Sequence, residues 1–577
     1  MKKKLLPALI VTGLIILVVI IMGITALINK YTPTKKTEDL KEYFNISSDD
    51  EAALIVDNEL SDYKAKIIDK KIYVDYKFVH DSLNSRFYWD ANENVLLYTT
   101  ASDIISAAAD SNSYSVTKQT NDFGYPIVKA TSDSALIALD YVKQYSNITF
   151  KSYGDPARIV ITSKWDEIDS ATVSKSTQVR VKGGIKSPIL KEVKKDDKIT
   201  ILDSGDKWDK VATEDGVIGY IKRKALSESK KTKLTNPDYE EETFTHIKKD
   251  KDICLAWNQV TSQSANSKVP QVISSTKGIN VMSPTWFYLN DNNGNLADIA
   301  SKDYVSYCHS QGIEVWGLFS NFENTDVDAA YVLTHTSTRT TLINQIMSAA
   351  FNYELDGVNI DFENITEAAY GDSYIEFIRE LAIKCHNNGI SLSVDVTVPA
   401  SFNKFFNRSD MANFADYIVI MGYDEHYKGS DAGSVSSIPW VTEGVESTLK
   451  EVPADQIILG MPFYTRIWEL TPKEDDDAVT DTEDQSKYTV ASQVYSMDAA
   501  AAQLATNNAT AALDEESGQN YAEWSVSNKL YKVWLEDTTS LEKRLKLVDD
   551  NKLAGAAFWK LGFENSSVWD TVIKYLN

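Results

Sequence analysis

The sequence predicts an α/β fold: a (β/α)8 barrel with a small α+β insertion, preceded by a small all-β barrel module, an α+β module and an N-terminal transmembrane helix. Three observations predict it. From about residue 250 onward, near-continuous apolar runs alternate with longer helical stretches, as parallel strands covered by helices do. Eight such runs fall within about 325 residues, the count and length of a closed barrel. Ahead of them lie short alternating runs separated by Gly, Asp and Pro turns, and an uncharged stretch near the start of the chain.

At the N-terminus, Lys2, Lys3 and Lys4 precede an uncharged run from Leu5 to Ile28. As a helix this run is about 36 Å long at roughly 1.5 Å per residue, enough to cross a hydrocarbon core of about 30 Å. The exit sequence has no Ala-x-Ala pattern, so the expectation is an uncleaved signal anchor, with a cleaved signal peptide as the alternative. The basic residues place 1–4 in the cytoplasm, 5–28 in the membrane and all beyond residue 30 outside, giving a single-pass cell-membrane protein. The net charge of −24 argues against nucleic acid as a partner, since duplex binding needs lysine and arginine to neutralise phosphates. With 43% apolar and 11% aromatic residues, the chain can bury sizeable cores. Cys254, Cys308 and Cys385 are odd in number and far apart, which fits buried free thiols rather than a disulfide framework or a CxxC-type zinc site.

Residues 29–50 are polar and read as a stalk. Residues 51–165 mix strand-like runs, such as Lys71-Ile-Tyr-Val-Asp and Asn94-Val-Leu-Leu-Tyr-Thr, with helical stretches such as Asp133-Ser-Ala-Leu-Ile-Ala-Leu-Asp-Tyr-Val. This α+β segment resembles the small module near the N-termini of copper amine oxidases and many bacterial surface proteins. The resemblance implies a spacer or wall-binding module and no copper, because His80 is its single histidine. Residues 170–228 read as short strands around Val179, Ile199, Trp208 and Tyr220. Their order resembles bacterial Src-homology-3-like domains, although the usual opening is altered to Gln178-Val-Arg-Val-Lys-Gly. That resemblance implies cell-wall binding; a passive spacer with Trp208 and Tyr220 in its core is the other reading. Residues 229–249 are charged and read as a linker.

The barrel occupies 250–577. Its expected strands are Ile253–Trp257, Ile279–Ser283, Ile313–Phe319, Gly357–Glu363, Ser391–Val398, Tyr417–Tyr423, Ile457–Pro462 and Gly555–Lys560. The long gap before the last strand predicts an insertion over about 463–535.

Strand four reads Asp356-Gly-Val-Asn-Ile-Asp-Phe-Glu363. Strand side chains alternate faces, so Asn359, Asp361 and Glu363 point one way, about 6.6 Å apart in successive pairs, and Val358, Ile360 and Phe362 point to the packing helices. Polar groups inside a barrel are costly to bury. Glu363 lies at the strand's C-terminal end, where barrel enzymes place their sites. Two carboxylates this close oppose each other's ionisation, so one keeps its proton at neutral pH, as a general acid must.

Asp356-x-x-Asn359-x-Asp361-x-Glu363 closely resembles the DxxDxDxE signature of glycoside hydrolase family 18, the chitinase-like family. Met421-Gly-Tyr-Asp424 is similar to that family's MxYD, Gly460-Met-Pro-Phe-Tyr464 to its strand-seven ending, and Ala557-Phe-Trp559 to its strand-eight tryptophan. The resemblance spans about 250–577. It implies a retaining hydrolysis in which the substrate's N-acetyl oxygen is the nucleophile, an exception to the two-carboxylate scheme. Carried onto this sequence, it implies that Glu363 protonates the leaving oxygen and then activates water. Asp361 holds the acetamido N–H and stabilises the oxazolinium ion, and Tyr423 donates to the acetamido carbonyl. Substrate-binding roles are implied for Asp356, Asn359, Asp424, Met421 and Trp559. Tyr464, Trp286 and Trp316, with Tyr288 and Trp468, either line sugar subsites or fill the core.

Asn359 stands where many chitinases have aspartate, similar to the spore-cortex and peptidoglycan branch of the family. Because Asn adds no negative charge, the expectation is that Asp361 ionises more readily. The implied partner is an N-acetylglucosamine-containing polysaccharide, peptidoglycan or chitin, cleaved outside the cell with no cofactor and no metal. Chitin-derived oligomers and N-glycan cores are alternative substrates. A non-catalytic glycan-binding protein or a cell-wall scaffold are the readings from other classes. The acidic stretch Glu474-Asp-Asp-Asp477 with Asp481, Glu483 and Asp484 reads as a solvated loop or a cation attractor.

Overall fold

The computed structural model describes residues 2–363, 365, 370–473 and 484–576. The chain divides into two compact units. The first comprises 1–89, 107–114 and 121–241; the second comprises 90–106, 115–120 and 242–577.

The second unit contains the barrel. Its strands are β1 (Ile253–Asn258), β2 (Val281–Leu289), β3 (Glu314–Ser320), β4 (Gly357–Asp361), β5 (Ser391–Thr397), β6 (Tyr417–Met421), β7 (Ile457–Pro462) and β8 (Gly555–Trp559). They pair in parallel in this order, and β1 pairs with both β2 and β8, so the sheet closes. All eight expected strands are present. The largest difference is β2, which starts two residues later than expected and runs six further, past a bulge at Thr285/Phe287, to pair with Leu296–Asp298. A bulge lets a strand bend out of the barrel wall and still find a partner for its edge.

Alternation divides the barrel's apolar groups into two layers. Val358, Ile360 and Phe362 join Leu392, Val394 and Val396 in the cluster that packs beneath the helices. Leu255, Trp257, Trp316, Leu318, Tyr417, Val419 and Ala557 fill the interior. Gly357 is required at the foot of β4: a Cβ there would lie 2.5 Å from the ring of Trp316. Between β7 and β8 the chain forms a five-stranded antiparallel sheet from Tyr464–Pro472, Tyr488–Ser496, Ala512–Asp514, Gln519–Val526 and Lys529–Leu535, with helix Met497–Thr506. Residues 474–483 of the acidic stretch lie outside the described residues.

Segment 90–106 belongs to this unit and makes polar contacts within it. Asp90 Oδ2 accepts from the backbone N–H (2.7 Å) and hydroxyl (2.6 Å) of Thr336, at the start of helix Thr336–Tyr353. Glu93 accepts from the N–H of Ser337 at 3.0 Å. Helix N-termini leave such donors without intrahelical partners, so these carboxylates cap the helix from a distant part of the chain.

The first unit holds two seven-stranded sheets, one built from strands between Glu51 and Thr162 and the other from strands between Glu167 and Lys233. One apolar cluster, including Phe44, Ile55, Val179, Leu190 and Ile221, spans both. Residues 29–50 differ from a free stalk: Phe44 is fully buried, Tyr43 Oη donates to the Ile218 carbonyl at 2.6 Å, and Thr34 and Glu38 bond to Ile185 and Ile189. A polar composition conceals this, because the anchoring is through two aromatic rings and the backbone. The expected linker also contributes a strand, Lys230–Lys233, paired with Glu167–Ser170. Helix Lys2–Tyr31 includes a 25-residue stretch of mean hydropathy 2.9 that is long and apolar enough to cross a membrane; a signal sequence has the same properties.

Candidate active site

The approach to β4 fixes its register. Helix Thr336–Tyr353 ends at Glu354 in the left-handed conformation (φ 58°), and the chain turns directly into the barrel. Asp356 then exchanges two hydrogen bonds with Val315 of β3: its N–H donates to the Val315 carbonyl (3.0 Å), and its Oδ2 accepts from the Val315 N–H (2.8 Å). The same oxygen lies 2.7 Å from His309 Nε2. Asp356 is therefore at the N-terminal end of the barrel, below the site, and is a register-setting residue rather than a sugar ligand.

One step up the inner face, Asn359 is fully buried. Its Oδ1 accepts from Trp257 Nε1 and from Ser283 Oγ, each at 2.9 Å, and its Nδ2 donates to Asp395 Oδ1 at 2.7 Å. Three strands thus hold this amide, and it contacts protein rather than solvent. Asp361, at the end of β4, is buried, and its Oδ1 accepts no hydrogen bond from any described residue. Burial raises its pKa well above the ordinary carboxylate range, and the charges of Asp395, Glu363 and Glu323 raise it further. This corrects the expectation that Asn359 frees Asp361 to ionise. A carboxylate is present beside Asp361 after all, but it comes from β5.

Glu363 follows the end of β4 and is exposed at the barrel mouth. Desolvation raises its pKa, and so do the charges of Asp424 and Glu323. Glu323, in the loop after β3, receives the Ser320 hydroxyl at 2.6 Å. Asp424, just beyond β6, sits in the left-handed region (φ 60°) that aspartate tolerates better than most residues. It accepts from Tyr464 Oη at 2.5 Å and has Arg466 at 3.7 Å.

Aromatic rings form the floor. Trp257 meets Tyr423 edge-on at 6.4 Å and Trp559 at 6.0 Å, and Tyr423 meets Tyr464 at 6.3 Å. Tyr423 and Trp559 are half-buried, Tyr464 and Met421 buried. Burial and the carboxylates of Asp361, Asp395 and Glu363 keep the Tyr423 hydroxyl protonated, hence a donor. The structure thus brings Asn359, Asp361, Glu363, Met421, Tyr423, Asp424, Tyr464 and Trp559 to one end of the barrel.

Trp286 and Trp316 go elsewhere; both are fully buried. Trp286 lies in the outer layer with Nε1 donating to Asn266 (2.8 Å). Trp316 stacks on Tyr417 at 5.6 Å inside the barrel, its Nε1 donating to Glu314 (3.0 Å). Neither has a face free for a sugar, so both are core residues. Trp468 is also buried, bonded to the Gly433 carbonyl at 2.8 Å. Sequence reasoning missed Asp395, Trp257, Ser283 and Glu323. The signal for Asp395 was available: Ser393 and Asp395 alternate with Leu392, Val394 and Val396 along β5.

Residues 325–564 match the model of glycosyl hydrolases family 18. The chain is 24% identical over 302 residues to the uncharacterized glycosylase YvbX of Bacillus subtilis, covering 49% of this chain and 81% of that protein. It is 24% identical over 287 residues to the cortical fragment-lytic enzyme of Bacillus subtilis, covering 48% of this chain and 63% of that enzyme's length. The crystal structure of the Bacillus cereus spore cortex-lytic enzyme SleL superposes with a TM-score of 0.50 at 18% identity, covering 60% of this chain and 79% of that one, a likeness of fold.

Proposed function

We propose that this chain is a glycosidase of the family 18 type that cleaves β-1,4 bonds following N-acetylglucosamine in peptidoglycan or a chitin-like polymer. The observation that carries the reading is the pairing of buried Asp361 with exposed Glu363 at the barrel mouth, above Tyr423 and Trp559.

Glu363 is the general acid. Its raised pKa favours the protonated form from which it delivers a proton to the departing glycosidic oxygen before taking one from the attacking water. The sugar's acetamido oxygen attacks the anomeric carbon. Tyr423 donates to that oxygen and aligns it, and Asp361 accepts from the acetamido N–H and balances the positive ring that forms. Trp559 supplies an apolar floor for the sugar at the cleaved position, and Asp424, oriented by Tyr464, accepts from sugar hydroxyls.

Two features favour a wall polymer over dietary chitin. The apolar N-terminal helix suits a signal anchor that holds the barrel at the outer membrane face, and the resemblances drawn from the sequence of 51–165 and 170–228 would suit wall binding. The similarity to a cortical fragment-lytic enzyme points the same way. The test is to incubate the full-length protein with peptidoglycan, chitin and chitooligosaccharides and to weigh the products by mass spectrometry. Reducing N-acetylglucosamine ends from peptidoglycan alone support the wall reading. Binding to a polymer without any cleavage overturns the enzyme in favour of a glycan-binding protein.

A further inference from the structure

We infer that Asp395 on β5 is a positioning residue of the site, and that it shares a single proton with Asp361 through a carboxylate pair seated on Asn359. The inference rests on the proposed glycosidase reading for its consequences in turnover, but the pair itself is read from geometry.

In the parallel β4–β5 ladder, Asn359 is opposite Ser393 and Ile360 opposite Val394. The next step sets Asp361 level with Asp395 on neighbouring strands, which run about 4.8 Å apart. Ile360 and Val394 belong to the outer apolar layer, so Asp361 and Asp395 both face the interior. Asp395 is 3% exposed and Asp361 is 6% exposed. Asn359 donates to Asp395 Oδ1 at 2.7 Å, and Trp257 and Ser283 hold Asn359 so that its Nδ2, not its carbonyl, faces Asp395. Asp361 Oδ1 is buried and accepts no hydrogen bond from a described residue.

The ionisable groups facing this pair are Glu363, Glu323, Tyr374 and Tyr423. Among the described residues, neither carboxylate has a lysine or arginine ion-pair partner. Two ionised carboxylates side by side in so dry a layer are prohibitively unfavourable, and one proton between them removes the conflict. The upward shifts of both acids agree.

The consequence for turnover follows from where that proton sits. With it on Asp361, the anion rests on Asp395, stabilised by the Asn359 amide. As the acetamido ring becomes cationic, the O–H bond on Asp361 breaks and one on Asp395 forms. The pair keeps a single negative charge throughout, now adjacent to the cation. Asp395 itself does not touch the sugar in this scheme; it determines when Asp361 is an anion.

The test uses the full-length protein and two readouts. Without substrate, infrared spectroscopy at neutral pH is expected to show a protonated-carboxyl band that loses the intensity of one carboxyl in Asp395→Asn, with the proton of Glu363 remaining, because Asp361 without the neighbouring Asp395 charge ionises at lower pH. Its persistence unchanged in Asp395→Asn overturns the shared proton whether or not the protein proves to be a glycosidase. In turnover, Asp395→Asn is expected to lower kcat about 10²-fold with little change in KM and to shift the acidic limb to lower pH. The transposed variant Asn359→Asp/Asp395→Asn, which returns one carboxylate to the layer, is expected to recover at least about tenfold of that loss. Wild-type kcat and pH profile in Asp395→Asn refute the role of Asp395 while leaving the glycosidase intact. A folded Asp395→Asn whose loss the transposed variant does not relieve also refutes it. Thermal melts of both variants separate these results from misfolding.

Discussion

The hydroxyl of Thr99 donates to Glu376 Oε1 at 2.7 Å, both side chains fully buried, although the two residues are 277 positions apart. Glu376 also pairs with Arg379 at 2.9 Å, and Arg379 in turn reaches Asp410. A short segment from the first part of the sequence thus completes a polar network on helix Gly371–His386, whose Phe377 and Ile378 pack in the same outer layer as Val358 and Ile360 of β4. Buried charges that lose a partner are expensive. Replacing Thr99→Val conserves volume and removes one charge-assisted bond, so it is expected to destabilise the second unit by about 2 kcal/mol. Thermal melting checks this: the Tm falls by several degrees while kcat at 25 °C is unchanged.

The carboxylate pair also has a signature in stability. Asp361 and Asp395 have folded-state pKa values above their unfolded ones, so the folded protein binds more protons than the unfolded chain. The favourable contribution is complete below the ordinary aspartate value of about 3.9 and is lost as pH rises towards the raised folded values. Asp395→Asn removes the cost of burying Asp395 and the charge it places on Asp361, while the burial of Asp361 remains. Its melting temperature is expected to exceed wild type at pH 7, with the difference closing near pH 4. A variant less stable than wild type at pH 7 contradicts this.

The proton on Glu363 is supported by burial first, then by Asp424 and Glu323. Removing a neighbouring negative charge makes ionisation easier, so the acid form is lost at lower pH. Glu323→Gln is therefore expected to move the basic limb of the kcat/KM profile downward. A pH–rate profile identical to wild type shows that the Glu323 charge does not reach Glu363.

The tryptophans sort by layer. Trp316→Ala empties a fully buried site in the barrel interior and is expected to cost about 3–5 kcal/mol of stability. Trp559→Ala, at a half-buried position in the floor of the site, is expected to lower kcat/KM by tenfold or more with a much smaller change in Tm. Denaturant melts and steady-state kinetics on a chitooligosaccharide distinguish the two.

The barrel was legible in the sequence because parallel strands covered on both faces must be apolar, and eight such runs stand out by their spacing. Inward polar groups at Asn359 and Asp361 were legible for the complementary reason: alternation puts them among residues that otherwise fill a dry interior. Alternation gives the face of a strand but not its height, so Asp356 at the foot of β4 was read with the residues at its top, and Trp316 in the lower interior was read as a possible sugar platform. Asp395 was hidden because Ser391-Leu-Ser-Val-Asp reads as an apolar strand unless its two faces are separated. Thr99 depends on a partner 277 positions away and Phe44 on a cluster that extends to Val179 and Ile221, and no local pattern predicts such contacts.

The most direct test of the central claim is the turnover of full-length Glu363→Gln on an N-acetylglucosamine polymer, measured as reducing ends released at the wild-type pH optimum. Glutamine keeps the size and removes the transferable proton. The expected result is a folded protein whose kcat is lower by about 10³-fold, within the range general acid–base catalysis contributes. Hydrolysis at the wild-type rate contradicts the account.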